Sequence, residues 1–350
     1  MSRRWLLARP RACAWGVWLS AALLVVTAAT PDAFVAFVRP AGWPAPRYDL
    51  AHNPQTPAGF ALGRQLFYDP VLSRDGSTSC ASCHNPATAF AHNDHRVSHG
   101  IEGRLGSRNA PALVNLAWSP ALHWDGGVNN LEVQALNPIT SPQEMDARLP
   151  DVLAQLRGSR RYRAGFAQAF GDSAVTTQRL LKALAQFTVA LQSYNSKYDR
   201  MLRQEPGSAF SPLELRGLAL FRQHCASCHQ EPLFTNHGFA NNGLPADSLL
   251  RDPGRAGITR RPADSLKFRV PTLRNIEFSA PYMHDGRFRT LRQAIQHYTT
   301  GSIRPSATLA PELREPMVLG LDDQRALLVF LFTLTDRSFL TDPRLQYQPE

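Results

Sequence analysis

Cys80-Ala-Ser-Cys83-His84 recurs, letter for letter, as Cys225-Ala-Ser-Cys228-His229. Two cysteines separated by two residues, with a histidine directly behind, is the pattern that attaches haem c. The two thiols add to the porphyrin vinyl groups and the adjacent imidazole is carried beneath the iron. A zinc reading would need four ligands pooled from two loops, and it leaves the histidine after each second cysteine unexplained. The pentapeptides therefore predict two covalently bound haems c, attached through Cys80, Cys83, Cys225 and Cys228, with His84 and His229 as proximal iron ligands.

Working outward, the chain repeats itself. Pro111-Ala-Leu113-Val-Asn115-Leu116 returns as Pro271-Thr-Leu273-Arg-Asn275-Ile276, Asp125-Gly126 as Asp285-Gly286, and Leu131 as Leu291, each pair 160 residues apart. The pentapeptides lie 145 apart, so the second half carries fifteen more residues between its two motifs. A constant offset over such a stretch reads as an internal duplication. Between the motifs, Thr177–Tyr194 places Leu180, Leu181, Leu184, Phe187 and Leu191 at helical spacing. Ser211-Pro-Leu-Glu214 is a capping box with proline at the first helical position, leading a helix into the second pentapeptide. Leu321–Leu334 closes the chain as an amphipathic helix packed on the second haem, and Asn236–Asp264, rich in Gly, Pro and Asn, reads as an irregular loop. Alternating strand patterns are scarce. The expected fold is mainly α: two cytochrome c-type haem domains related by internal duplication, with long irregular loops, spanning 50–195 and 205–340 and joined near Tyr194–Phe210.

The formal charge of +10 overstates how basic the body is. Arg3, Arg4, Arg9 and Arg11 lie in the first thirty residues, where no acidic residue occurs, and without them the remainder carries +6. Haem propionates would lower it further. With no basic stripe or nucleic-acid motif, that class of partner is excluded, and a preference for an acidic redox partner is what the charge supports. The apolar run Cys13–Ala29 behind those arginines reads as an export signal over residues 1–30, the rival being an uncleaved membrane anchor. Either way the body lies outside the cytoplasm, in the periplasm. Of five cysteines, Cys13 lies in this segment and four lie in the pentapeptides, so none remains for a structural disulfide.

An electron carrier needs a strong sixth ligand on each iron, whereas a peroxidase needs one iron that can open a position. For the first haem the residues at hand are His92, His95 and His99; for the second, Met283, His284, His297, Tyr298 and Met317. Composition does not choose among them.

From about Asn53 to Thr335 the chain resembles the bacterial dihaem cytochrome c peroxidases and their MauG-like relatives. The resemblance is carried by Leu66-Phe-Tyr-Asp69, Cys80–His84, Arg108-Asn-Ala-Pro111, Trp124-Asp-Gly126, Pro142-Gln-Glu-Met145, Val270-Pro-Thr-Leu-Arg-Asn275 and Pro281-Tyr-Met-His-Asp-Gly286. It implies that the N-terminal haem reacts with hydrogen peroxide and that the C-terminal haem stores or relays electrons. Trp124 matches the tryptophan between the haems; Gln134 and Glu144 match the distal-pocket residues, where a carboxylate can shuttle the proton that O–O cleavage needs. Asn109 matches the side-chain ligand of an interdomain calcium ion, completed by the carbonyls of Ser279 and Pro281. Tyr298 stands fourteen residues after His284, where the peroxidase branch has a methionine sixth ligand and MauG-like members have tyrosine. A phenolate oxygen favours more oxidised iron than a thioether does, so the MauG-like branch is preferred. His99 resembles a removable distal ligand, but it sits in the Ser98-His-Gly-Ile-Glu-Gly103 loop in which MauG-like members often have none; His92 stands where the family usually has Thr or Asp.

The function expected is a periplasmic peroxidase-type oxidoreductase. It takes electrons from a small cytochrome c or cupredoxin, or oxidises a partner protein as MauG does, and a homodimer is among the assemblies the resemblance admits. After export only Trp43, Trp118 and Trp124 remain as tryptophans for long-range oxidation. The alternative is a non-catalytic dihaem electron-transfer cytochrome with two six-coordinate irons.

Overall fold

The computed structural model describes residues 34–348; the expected export segment lies outside them. Among the described residues, no helix is long and apolar enough to cross a membrane. Seven helices among the described residues reach nine residues or more: Pro57–Tyr68, Leu149–Gly158, Arg160–Phe170, Thr177–Val189, Pro212–His224, Leu291–Thr299 and Leu321–Phe332. Strand within the same residues is confined to Phe239–Ala240 paired antiparallel with Phe268–Arg269. The mainly helical expectation is met, and the region 236–264 is irregular apart from this strand and short helical turns.

Each half is built on one helix pair that crosses at a glycine. Gly63, on Pro57–Tyr68, meets Thr177–Val189 so closely that a Cβ there would lie 2.0 Å from the Ala183 carbonyl oxygen. Gly217, on Pro212–His224, meets Leu321–Phe332 in the same way, 2.1 Å from the Ala326 carbonyl oxygen. The capping box at Ser211 forms as read, with Glu214 carboxylate and Ser211 hydroxyl each accepting the other's backbone N–H. Its helix delivers Cys225 as C-cap. Apolar side chains from Phe60 to Leu191 fill one core and those from Tyr198 to Leu334 a second. The chain then returns, and Phe339, Leu340 and Leu345 close the first core.

Both closing helices stop short of the ends read from periodicity, for one reason. The carbonyl of Leu191 accepts the Asn115 N–H at 2.9 Å, and that of Leu334 accepts the Asn275 N–H at 3.1 Å. These two asparagines, 160 residues apart, share the left-handed conformation (φ 57° and 58°), which asparagine tolerates. Their amides converge on one residue: Asn115 exchanges two bonds of 3.0 Å with the Ser193 backbone, and Asn275 donates to the Ser193 hydroxyl at 3.0 Å. The amide oxygen of Asn275 caps the Asp336 N–H at 2.8 Å. Helix periodicity cannot see this junction, because the repeats themselves take the terminal carbonyls.

The Asp-Gly turns show the same correspondence. Leu122 bridges Val128, and Tyr282 bridges Phe288, again 160 apart. Each turn's glycine, at φ 70° for Gly126 and 64° for Gly286, is pressed against the other half. A Cβ on Gly126 would strike the Phe239 ring at 2.3 Å, and one on Gly286 the Arg96 carbonyl at 1.9 Å. Ion pairs reinforce the docking: Arg108, itself braced by Asp125 of its own half at 2.5 Å, binds Asp252 at 2.6 Å, and Arg96 binds Asp247 at 2.9 Å.

Candidate active site

His84 directly follows the short helix Cys80–Cys83, His229 follows the turn that ends Pro212–His224, and both rings are locked the same way. Nδ1 of His84 faces the Phe90 carbonyl at 2.7 Å, with the Pro111 carbonyl beside it. Nδ1 of His229 faces the carbonyls of Phe234 at 3.2 Å and Pro271 at 3.1 Å. A carbonyl only accepts, so Nδ1 carries the proton in both rings and Nε2 is left with its lone pair. Among the described residues no hydrogen bond engages either Nε2. Burial pushes both imidazoles down to about 4, so they are neutral near pH 7. A neutral ring whose second nitrogen donates to a carbonyl is the arrangement of a metal-ligating histidine.

The four motif cysteines are free thiols. Burial drives Cys80 and Cys225 up to about 12 and Cys83 up to about 11. These thiols are therefore protonated near pH 7. At the second motif they open on a cavity of about 210 Å³ lined mainly by apolar side chains, among them Leu273, Leu291, Leu327 and Leu331, with His229 and Tyr298 in its wall. Its far edge holds Arg269, which is 7 % exposed and has no carboxylate partner among the described residues. Burial pushes this guanidinium down to about 10. An unpaired buried arginine at the rim of an apolar slot is what a haem propionate would satisfy, so the residues present fit the group.

Trp124 stands at the joint. It lines both this cavity and a second one of about 80 Å³ between the halves. Its indole N–H donates to the Asn109 carbonyl at 2.8 Å, and its own carbonyl accepts the Arg269 N–H at 2.7 Å. Asn109, Ser279 and Pro281, the three expected calcium-site residues, all line the smaller cavity. Asn109 is buried; its N–H donates to the His284 carbonyl at 2.7 Å and its amide to the Arg96 carbonyl at 3.3 Å.

Glu144 lies beside the first motif, where its charge is felt by both Cys80 and Cys83. Burial raises it above the ordinary glutamate range, and among the described residues its carboxylate has no hydrogen-bond or ion-pair partner. Backbone holds it there. The Glu144 carbonyl accepts the Ile101 N–H at 2.8 Å, and Gly100 packs so tightly that a Cβ would come within 2.2 Å of that oxygen. Gln134 sits in the short turn Val133–Ala135, with its backbone near the His123 ring and its side-chain amide making no bond among the described residues.

Around the second motif, the Tyr298 hydroxyl accepts from the Asn242 amide at 3.2 Å, and the same amide reaches the Met283 sulfur at 3.4 Å. Burial pushes the phenol up to about 12, and the thiols Cys225 and Cys228 are near enough to add to that. His297 is buried and held by the Asn242 carbonyl at 2.9 Å, while His284 stacks on Phe268 with centroids 3.6 Å apart. Tyr298, Met283, His284 and Met317 all line the larger cavity. His92, His95 and His99 form a separate cluster described below.

Reading the sequence missed three nitrogen-bearing groups between the halves: the buried cation Arg269 and the neutral imidazoles His123 and His237. Both nitrogens of His237 and Nε2 of His123 are buried without partners. Burial, then Arg269 and Arg47, pushes His237 down to about 4. A charged residue inside Phe268-Arg-Val270 was the signal for Arg269; the histidines gave none.

Two half-buried, backbone-oriented imidazoles behind paired thiols define a c-type haem protein with two centres. The chain belongs to the di-haem cytochrome c peroxidase family, which includes MauG; the family's pattern matches residues 57–207. It is 36 % identical to the methylamine utilization protein MauG of Methylorubrum extorquens, covering 88 % of this chain and 86 % of that one. It is 35 % identical to the cytochrome c551 peroxidase of Nitrosomonas europaea, over 78 % and 79 % of the two chains. A crystal structure of a MauG-like protein associated with microbial copper homeostasis superposes with a TM-score of 0.79 at 32 % identity, covering 88 % of this chain and 97 % of that one. The protein is a peroxidase-type oxidoreductase with two haem cofactors.

Proposed function

We propose that this chain is an exported, periplasmic enzyme of the MauG-like branch. It consumes hydrogen peroxide at the haem held by Cys80, Cys83 and His84, and draws on the haem held by Cys225, Cys228, His229 and Tyr298 for electrons. The two haem domains would span 50–195 and 205–340. The observation that carries this reading is an asymmetry: a half-buried Glu144, unpartnered among the described residues, stands beside the first motif, whereas a hydrogen-bonded phenol stands beside the second.

Haem iron, when bound, supplies the site that takes up peroxide and exchanges electrons; the side chains supply the rest. Glu144, raised by burial, moves a proton between the two peroxide oxygens, and the free amide of Gln134 orients them. Trp124, held at its N–H and its carbonyl, provides the aromatic path between the centres. Tyr298, whose hydroxyl accepts from Asn242, would supply the second iron with an oxygen ligand where the peroxidase branch has a thioether. Asn109 with the Ser279 and Pro281 carbonyls would hold calcium at the joint, an oxygen-only donor set. The electron source is a small cytochrome c or cupredoxin, or the oxidised group lies on a partner protein. Trp43, Trp118 and Trp124 are all buried, so a protein substrate would be reached through intervening side chains.

The test is EPR and absorption spectroscopy of the ferric and reduced protein, followed by stoichiometric peroxide. One haem should respond; two low-spin haems without response would reject the reading. Tyr298→Phe should alter the low-spin signal of the second haem, and an unchanged signal would remove Tyr298 as ligand.

A further inference from the structure

The loop behind the first motif brings together three histidines that the roles above do not use as a set. We propose that His92, His95 and His99 form a binding site for a divalent d-block cation, copper(II) ahead of zinc(II). One nitrogen from each ring lies within 4.8 Å of the other two. Ring centroids are 5.5, 5.1 and 5.0 Å apart, with the His92 and His95 planes nearly parallel (14°) and His99 edge-on to both (68° and 72°). Nε2 of His92 and Nδ1 of His95 are 3.3 Å apart. Two nitrogens on one tetrahedral cation, with bonds of roughly 2.0–2.1 Å, are held about 3.3–3.4 Å apart. That separation is long for a hydrogen bond and right for a shared metal.

The surroundings fit a cation as well. Nδ1 of His99 is buried with no hydrogen-bond partner. The Ser82 backbone and the Asp94 carboxylate both lie close to the His92 ring. The loop is fixed at both ends. His92 N–H donates to the Ala110 carbonyl at 3.4 Å, Ser98 N–H to Arg108 at 2.8 Å, and Gly106 N–H to Ser98 at 2.7 Å. His92 is buried and His95 exposed, so the cluster has a floor and an entrance. Three imidazoles and no carboxylate or carbonyl in the set disfavour calcium, magnesium and manganese. Among imidazole-binding cations the Irving–Williams order puts copper(II) first. A cation seated here takes up the His99 ring, whose own carbonyl accepts from the Cys83 thiol at 3.3 Å. It thereby withholds that ring from the first haem. The site stands whichever haem reacts with peroxide.

The experiment uses the protein with both haems attached, stripped of loosely held metal by a chelator, desalted, and titrated with copper(II) and separately with zinc(II). One copper per two irons should survive a second desalting step. A copper EPR spectrum with nitrogen superhyperfine splitting should appear beside the haem signals. His95→Ala should weaken copper binding on the order of 100-fold, with the haem absorption spectrum and thermal unfolding unchanged; His95→Gln, a milder change at this exposed position, should do the same. No retained copper, or equal retention by the wild type and both variants, would overturn the proposal. So would a low-spin signal of the first haem that is lost in His99→Ala while the wild type takes up no copper, since His99 would then belong to the iron.

Discussion

The two halves share a frame and differ in what they place upon it. Gly63 and Gly217 admit the same helix crossing, Asn115 and Asn275 adopt the same left-handed turn, and His84 and His229 are locked by carbonyls at matching positions. The chemistry lies where the correspondence fails. Glu144 stands unpartnered beside the first thiols, while Tyr298, bonded to Asn242, stands beside the second. Position 114 is a buried valine, and its counterpart 160 residues on is Arg274, 1 % exposed and bonded twice to Asp199 at 2.8 Å. The shared frame keeps what orients the two histidines, and what surrounds them differs.

The largest expected effect attacks the functional difference. Glu144→Gln keeps the shape but removes the proton acceptor, and the reaction with peroxide should slow by roughly 10²- to 10⁴-fold in stopped-flow mixing. Tyr298→Phe should leave that rate nearly intact. Equal losses in both variants would mean that the two sites do not divide the work.

Next comes the buried pair. Burial alone would raise Asp199, but its bonds to Arg274 hold it below the ordinary carboxylate range. Arg274→Met strands that charge and should lower the unfolding free energy by roughly 3–5 kcal/mol, read by denaturant titration. Val114→Ala, at the matching position, should cost less because it leaves no charge behind.

The shared frame predicts matched losses instead. Gly63→Ala and Gly217→Ala each push a methyl into a backbone carbonyl, and each should cost on the order of 1–3 kcal/mol. Thermal unfolding that separates the two variants widely would show that the crossings are not equivalent.

The smallest effect is the pH profile. Burial disfavours the Glu144 carboxylate, so its proton is lost at higher pH than an exposed glutamate's. The proton-accepting form is the carboxylate. The peroxide reaction should therefore be full above that raised value and decline as pH falls through it, and the decline should be absent in Glu144→Gln. A wild-type rate that holds steady down to the ordinary glutamate range would remove Glu144 as the proton carrier.

How much could be read beforehand follows from where each signal lies. Contiguous patterns were legible: the pentapeptides, the capping box at Ser211, and the apolar faces of Thr177–Val189 and Leu321–Phe332. The ends of those two helices were not, because Asn115 and Asn275 reach across from far along the chain to take the carbonyls of Leu191 and Leu334. Trp124, Glu144, Tyr298 and Asn109 could be named only by resemblance, since a lone residue of each type has ordinary structural uses.

The linear order of residues determined that two haem-attachment motifs exist and that a 160-residue repeat surrounds them, since covalent spacing and repetition are properties of the chain alone. Tertiary structure decided the rest. It left Arg269 buried without a counter-ion, set Trp124 in the walls of two cavities, and drew His92, His95 and His99 together. Burial and convergence are relations between distant segments, and they arise only when the two halves dock.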